Sequence, residues 1–164
     1  MTSAAERSTE HSMTPERRAE ALRVLAAAHP DQLSHLAAPI VADHAFDVLR
    51  APEAGLMMVR ARLANTGDRY NLGEVTVTRC VVRHAPGPGH AAVAGVGHVM
   101  GLNSAHALVV AQLDALLQLP ALHGLLWSSV IEPLQQAMNQ KRHAERANTE
   151  TSRVRFFTLQ SEAA

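Results

Sequence analysis

The most constraining feature of this chain is a stretch from Phe46 to Met100 in which short apolar, β-prone runs alternate with turn-forming residues. Four such runs stand out: Phe46 to Arg50, Leu56 to Leu63, Glu74 to Arg83 and Ala91 to Met100. The connectors Ala51-Pro52-Glu53-Ala54-Gly55, Asn65-Thr66-Gly67-Asp68 and Ala85-Pro86-Gly87-Pro88-Gly89 all have turn chemistry at hairpin length. Consecutive strands joined this tightly can pair only antiparallel, so the pattern predicts a four-stranded antiparallel meander.

The flanks are helical. Thr14-Pro15-Glu16 supplies an N-cap, a proline at the first helical position and an acid in the first turn, followed by Leu22, Leu25 and Ala26 on one face. A second short helix follows Pro30-Asp31 and is expected to stop at Pro39. After Asn103 or Ser104 as N-cap, His106 to Gln118 is apolar on nearly every side, interrupted chiefly by Gln112 and Asp114. It predicts a buried helix lying on the sheet or under a partner. Pro120 ends it, residues 122–131 form a further short helix, and Pro133 opens a polar one reaching about Asn148.

The fold class is therefore α+β: N-terminal helices, a four-stranded antiparallel meander sheet, C-terminal helices and a final β-like segment. Residues 1–13 lack periodicity and are expected to be a disordered leader, leaving 14–164 as a single domain. The β-prone tail Arg153 to Leu159 holds two of the three phenylalanines. Alternation slips between Phe156 and Phe157, so both faces need cover, and these two side chains are expected to anchor an interface with another subunit.

Charge narrows the function classes. Lys+Arg and Asp+Glu both number 15, so no basic excess attracts nucleic acid. The first residues carry Glu6, Arg7 and Glu10 without an apolar run, and no stretch approaches membrane-span length. A cytoplasmic protein is expected, and the single Cys80 suits a reducing compartment. Ten histidines show no tight ligand spacing, so no metal is expected. Gly95-Val96-Gly97 lacks the third glycine of a dinucleotide fingerprint at the required spacing and is read as strand glycines permitting close packing.

Arginines carry the chemical signal. Strand alternation puts Arg60 and Arg62 on one face of the second run, Arg79 and Arg83 on one face of the third, with Arg69 in the hairpin between. Guanidinium forks suit phosphate or carboxylate oxygens, so Arg60, Arg62, Arg69 and Arg79 are the candidate phosphate or partner contacts. The competing reading is that they bridge to Glu53, Glu74, Asp68 or a partner's acids. No acid–base or nucleophile constellation is evident, and no catalytic residue is assigned.

The runs Leu49 to Arg62 and Thr66 to Arg83, then Val99-Met100-Gly101, His106-Ala107, Leu113 to Leu116, Ile131 to Leu134 and Ser152 to Thr158, resemble the PhnG family of the carbon–phosphorus lyase pathway. The order and spacing of these pieces carry the resemblance, which covers most of residues 15–159. It implies a non-autonomous subunit of the synthase that joins a phosphonate to the ribose of ATP, releasing adenine and forming α-D-ribose 1-phosphonate 5-triphosphate. It also implies H, I and J as core partners, L as a further requirement of the synthase reaction, ATP as substrate of the complex, and no cofactor held by this subunit alone. A purely structural scaffold within that complex is the alternative role. The chain departs from the family where Gly101-Leu102-Asn103 replaces a common Gly-Arg-Asp, and where Ala64-Asn65 replaces a glycine pair. If the common Arg-Asp pair is catalytic in relatives, Leu102 and Asn103 leave this chain impaired; if it is a structural ion pair, replacing both with neutral residues is tolerated, and joint loss of both charges favours the structural account.

Overall fold

The structure is a computed structural model that describes residues 13–87 and 91–151. Helix α1 spans Pro15–Ala27, with the Thr14 hydroxyl accepting from Arg17 N as N-cap and Pro15 in the first turn. Helix α2, Pro30–Ala42, runs one turn past its expected stop, with Pro39 inside it. The bond that Pro39 forgoes lies so close to the C-terminal end that little helix is left to lose. Met13, the one leader residue described, packs half-buried against the core. The rest of the expected leader, and the tail with Phe156 and Phe157, lie outside the described residues.

The sheet has three strands, not four: β1 Phe46–Arg62, β2 Arg69–His84 and β3 Val93–Met100, in the order β1-β2-β3 and antiparallel throughout. The expected first and second strands are one continuous β1. Its pairing steps from Val48↔Val82 to Arg50↔Val81 and then to Glu53↔Arg79, so β1 carries two extra residues against β2. Ala51 and Pro52 fall in the second irregularity, and Gly55 is already back in register opposite Val77. The physical reason is that bulges on an edge strand recruit the same proline and small residues as turns do, because neither needs an unbroken ladder. The Cys80 thiol donates to Arg50 O at 3.4 Å inside this bulged region.

Helix α3, Ser104–Leu117, is the centre of the molecule. Asn103 Oδ1 accepts from His106 N at 2.9 Å as N-cap, whereas Leu102 beside it is exposed. Val110, Leu113, Leu116 and Leu117 are buried in one core with Leu25 of α1, Leu33 of α2, and Cys80, Val82 and Val99 of the sheet. Each such aliphatic side chain contributes roughly 1.5–3 kcal/mol by leaving water. The sheet-facing side of α3 carries Ala107, Ala111 and Ala115 at four-residue intervals against Gly95 and Gly97. A Cβ on Gly97 would overlap the Ala107 carbonyl and one on Gly95 the Ala111 carbonyl, so the glycines admit helix backbone directly onto strand backbone. Pro120 begins a new helix, α4 Pro120–Leu126. A π turn at Trp127–Ile131 links it to α5, Glu132–Thr151. None of the described helices is long and apolar enough to cross a membrane.

Helix α3 also covers the open edge of β3. Asp114 Oδ2 accepts from Val96 N at 2.8 Å, and Gln118 Nε2 donates to Ala94 O at 2.8 Å. These bonds satisfy edge groups that would otherwise invite another strand.

Candidate functional site

Strand β3 pairs with β2 only from Val77 to His84. The Gly101 N–H bonds Thr76 O at 2.8 Å, and beyond that point β2 pairs with β1 alone. Leu56–Arg62 and Arg69–Thr76 therefore form a two-stranded ribbon that overhangs the sheet by roughly 20 Å at 3.3 Å per residue. Its turn is closed by Gly67 N to Leu63 O at 2.9 Å and Leu63 N to Asp68 O at 3.0 Å. Gly67 has φ 75°, a left-handed conformation that glycine adopts without steric cost. One further irregularity, Val59↔Gly73 followed by Arg60↔Asn71, leaves Leu72 as an extra residue in β2.

Directly opposed residues share a face, so the register sorts the arginines. Along β2, Thr78, Cys80, Val82 and His84 are buried under the helices, while Arg79 and Arg83 lie exposed on the outer face. Arg62 stands directly opposite Arg69, and Arg60 opposite Asn71. Counting back along the ladder through Glu74 and Thr76 places these three arginines on the continuation of the helix-covered face, beyond the helices. The structure thus brings Arg60, Arg62 and Arg69 together near the ribbon tip. Arg79 lies on the other face, opposite Glu53, seven residues along β1 from Arg60 and so roughly 23 Å away.

Their bonding differs as much as their positions. Arg79 Nε meets Glu53 Oε1 at 2.7 Å, Arg50 reaches the same carboxylate oxygen at 3.2 Å, and Arg83 meets Asp47 Oδ2 at 2.7 Å. At the tip, Arg62 donates only to the Gly67 carbonyl at 3.2 Å, and Arg60 and Arg69 have no hydrogen-bond or ion-pair partner among the described residues. Around them the ribbon exposes Leu56, Met57, Met58, Tyr70 and Leu72, with Leu56 at 68% and Leu72 at 63% of full exposure.

The buried histidines serve the fold. His106 Nε2 is 2.9 Å from Leu25 O, and His84 Nδ1 is 2.8 Å from Ala45 O between the rings of His44 and Phe46. His123, buried against Trp127, keeps an unpartnered Nδ1 among the described residues. Burial pushes the Cys80 thiol above its usual range, which keeps it protonated rather than nucleophilic.

Sequence reasoning missed the buried ion pair, as it missed the exposed Arg83–Asp47 pair. Arg18 of α1 forks onto fully buried Asp114 with bonds of 2.8 and 2.7 Å, and the carboxylate's hydrogen bonds raise the guanidinium's pKa further. The signal was present, since an acid inside an otherwise apolar helix requires a cation or donors. Arg18 lines a shallow surface groove with Met13, Pro15 and Leu22, but its charge is already taken up by Asp114.

Residues 16–161 match the family described as phosphonate metabolism protein PhnG. A relative from Rhizobium meliloti (strain 1021), the alpha-D-ribose 1-methylphosphonate 5-triphosphate synthase subunit PhnG, is 34% identical over 142 residues, covering 87% of each chain. A match running from the first turn of α1 past the end of α5 takes in the helices, the sheet and the ribbon together, and the chain belongs to the PhnG family.

Proposed function

We propose that this chain is a subunit of the synthase in which a phosphonate displaces adenine from the ribose of ATP, giving α-D-ribose 1-phosphonate 5-triphosphate. The observation that carries this reading is the collinear match, over 87% of both chains, to a relative named as a subunit of that synthase. Displacing adenine from C1′ requires the triphosphate to be held, the phosphonate oxygen positioned and an oxocarbenium-like centre stabilised. Subunits H, I and J are the proposed assembly partners, with L joining for the reaction. Arg60, Arg62 and Arg69 are the side chains of this subunit left open to phosphate or partner carboxylates.

The scaffold role, with no substrate contact, is the second reading. It is favoured by Arg79, whose guanidinium is already bonded to Glu53.

Adenine release from ATP and methylphosphonate should require the other subunits and should fall when this chain is omitted from the reconstituted mixture. Turnover by the purified chain alone would overturn the non-autonomous reading. Full turnover by the mixture without it would overturn the subunit assignment.

A further inference from the structure

We propose that the ribbon Leu56–Thr76 is an arm that inserts into an apolar, acid-rimmed groove on another subunit of the same assembly. The inference rests on the subunit reading above for the identity of the assembly.

Three observations lead to it. A two-stranded hairpin without a third strand or a covering helix is marginal in water, yet this one overhangs by seven residue pairs. Its apolar side chains stand on both faces: Leu56 and Met58 on the helix-side face, Met57 and Tyr70 on the other. The helix-side face also holds Arg60, Arg62 and Arg69, with Arg62 and Arg69 directly opposed although like charges across a ladder repel.

The charges select the occupant. A second copy laid face to face would bring six guanidinium groups against only the two Glu74 carboxylates of that face and leave the outer faces of both ribbons bare. A small polyphosphate would satisfy the arginines but leave the methionines, leucines and tyrosine in water. A groove with an apolar floor and carboxylates along one rim satisfies both sets, and Met, Tyr and Arg are the side chains that interfaces favour. Leu56 to Thr76 also supplies on the order of 20 residues, close to what one partner contributes to a standard interface.

The test co-expresses the full-length chain, tagged, with the other synthase subunits. Two ribbon variants, Met58→Glu with Leu72→Glu and the triple change Arg60→Glu, Arg62→Glu, Arg69→Glu, are compared with Leu125→Glu, an exposed apolar position on α4. Recovery of partners should fall about tenfold or more for each ribbon variant and stay unchanged for Leu125→Glu, with melting temperatures of the free variants within about 3 °C of the parent. Amide exchange over residues 56–76 should slow about tenfold or more in the assembled complex.

Wild-type recovery with undiminished recovery of both ribbon variants would overturn the arm while leaving the subunit reading intact. Failure of the unaltered chain to recover partners would overturn the subunit reading and the arm with it. Self-association of the free chain that Met58→Glu with Leu72→Glu abolishes would identify a second copy as the occupant. Faster ribbon exchange in the free chain on truncation after Thr151 would identify its own tail. Either result refutes the proposal.

Discussion

Replacing Gly97 by alanine should destabilise this protein far more than one methyl group normally does, because the methyl has to enter space held by backbone. A heavy atom settles roughly 3.5 Å or more from its neighbours, and the Cβ of an alanine here would lie within the contact radius of the Ala107 carbonyl, with Ala107 C and Ala111 N each at 3.0 Å. Backbone cannot rotate aside, so α3 must retreat on the order of 1 Å. A gap of that size forfeits a quarter to a half of the dispersion well for each contact it opens. Overpacking costs about 1–3 kcal/mol where side chains can adjust, so about 3 kcal/mol or more is expected here. That corresponds to a fall in Tm of about 6–12 °C for a chain of this size. Gly55→Ala is the internal control: nothing lies within 4 Å of its added Cβ, and its effect should be neutral or stabilising by up to about 1 kcal/mol. Urea melts of the two variants with matched m-values would read both numbers. Gly97→Ala within about 0.5 kcal/mol of the parent would refute the backbone-contact account.

Three further outcomes follow from the arginines. Arg18→Met should cost about 3 kcal/mol by leaving the fully buried Asp114 carboxylate without its cation, and adding Asp114→Asn should recover part of the loss; additive losses in the double variant would contradict this. Arg79→Ala removes an exposed pair with Glu53 and should cost about 1 kcal/mol or less, whereas Arg69→Ala relieves its opposition to Arg62 and should be neutral or slightly stabilising while weakening assembly; chemical denaturation with parallel co-purification checks both.

The helix starts were legible in the sequence because capping is local chemistry. Thr14-Pro15 and the pair Asn103-Ser104 each mark their helix start from within one turn, and the structure forms the caps at Thr14 and, of the two candidates, at Asn103. The close packing at Gly95 and Gly97 was legible too, since a strand glycine offers few other advantages. Ala51 to Gly55 misled because proline and glycine mark bulges as well as turns, and only the partner strand's register distinguishes them. Arg18 and Asp114 are 96 residues apart, so no local pattern joins them. The sorting of the arginines was hidden for a related reason. Alternation gives each strand two faces, but which arginines share one depends on register across three bulges and on where β3 ends.

The end of β3 divides the hairpin into two regimes. Below Thr76 each β2 residue has a strand on both sides, helix α3 seated on the glycines, and arginines bonded to carboxylates of the neighbouring strand. Above it the same two strands continue with no helix, exposed leucine and methionine, and arginines that form no ion pair among the described residues. Stability is concentrated in the first regime, where Val82, Val99, Val110 and Leu116 leave water. The second adds little to folding and includes an opposed arginine pair that works against it. Fold energetics alone therefore does not account for the residues at the tip. A rigid base holding an under-supported arm is instead the arrangement expected of an interface element, since a clamped base fixes the arm's direction and lowers the entropy lost when it docks.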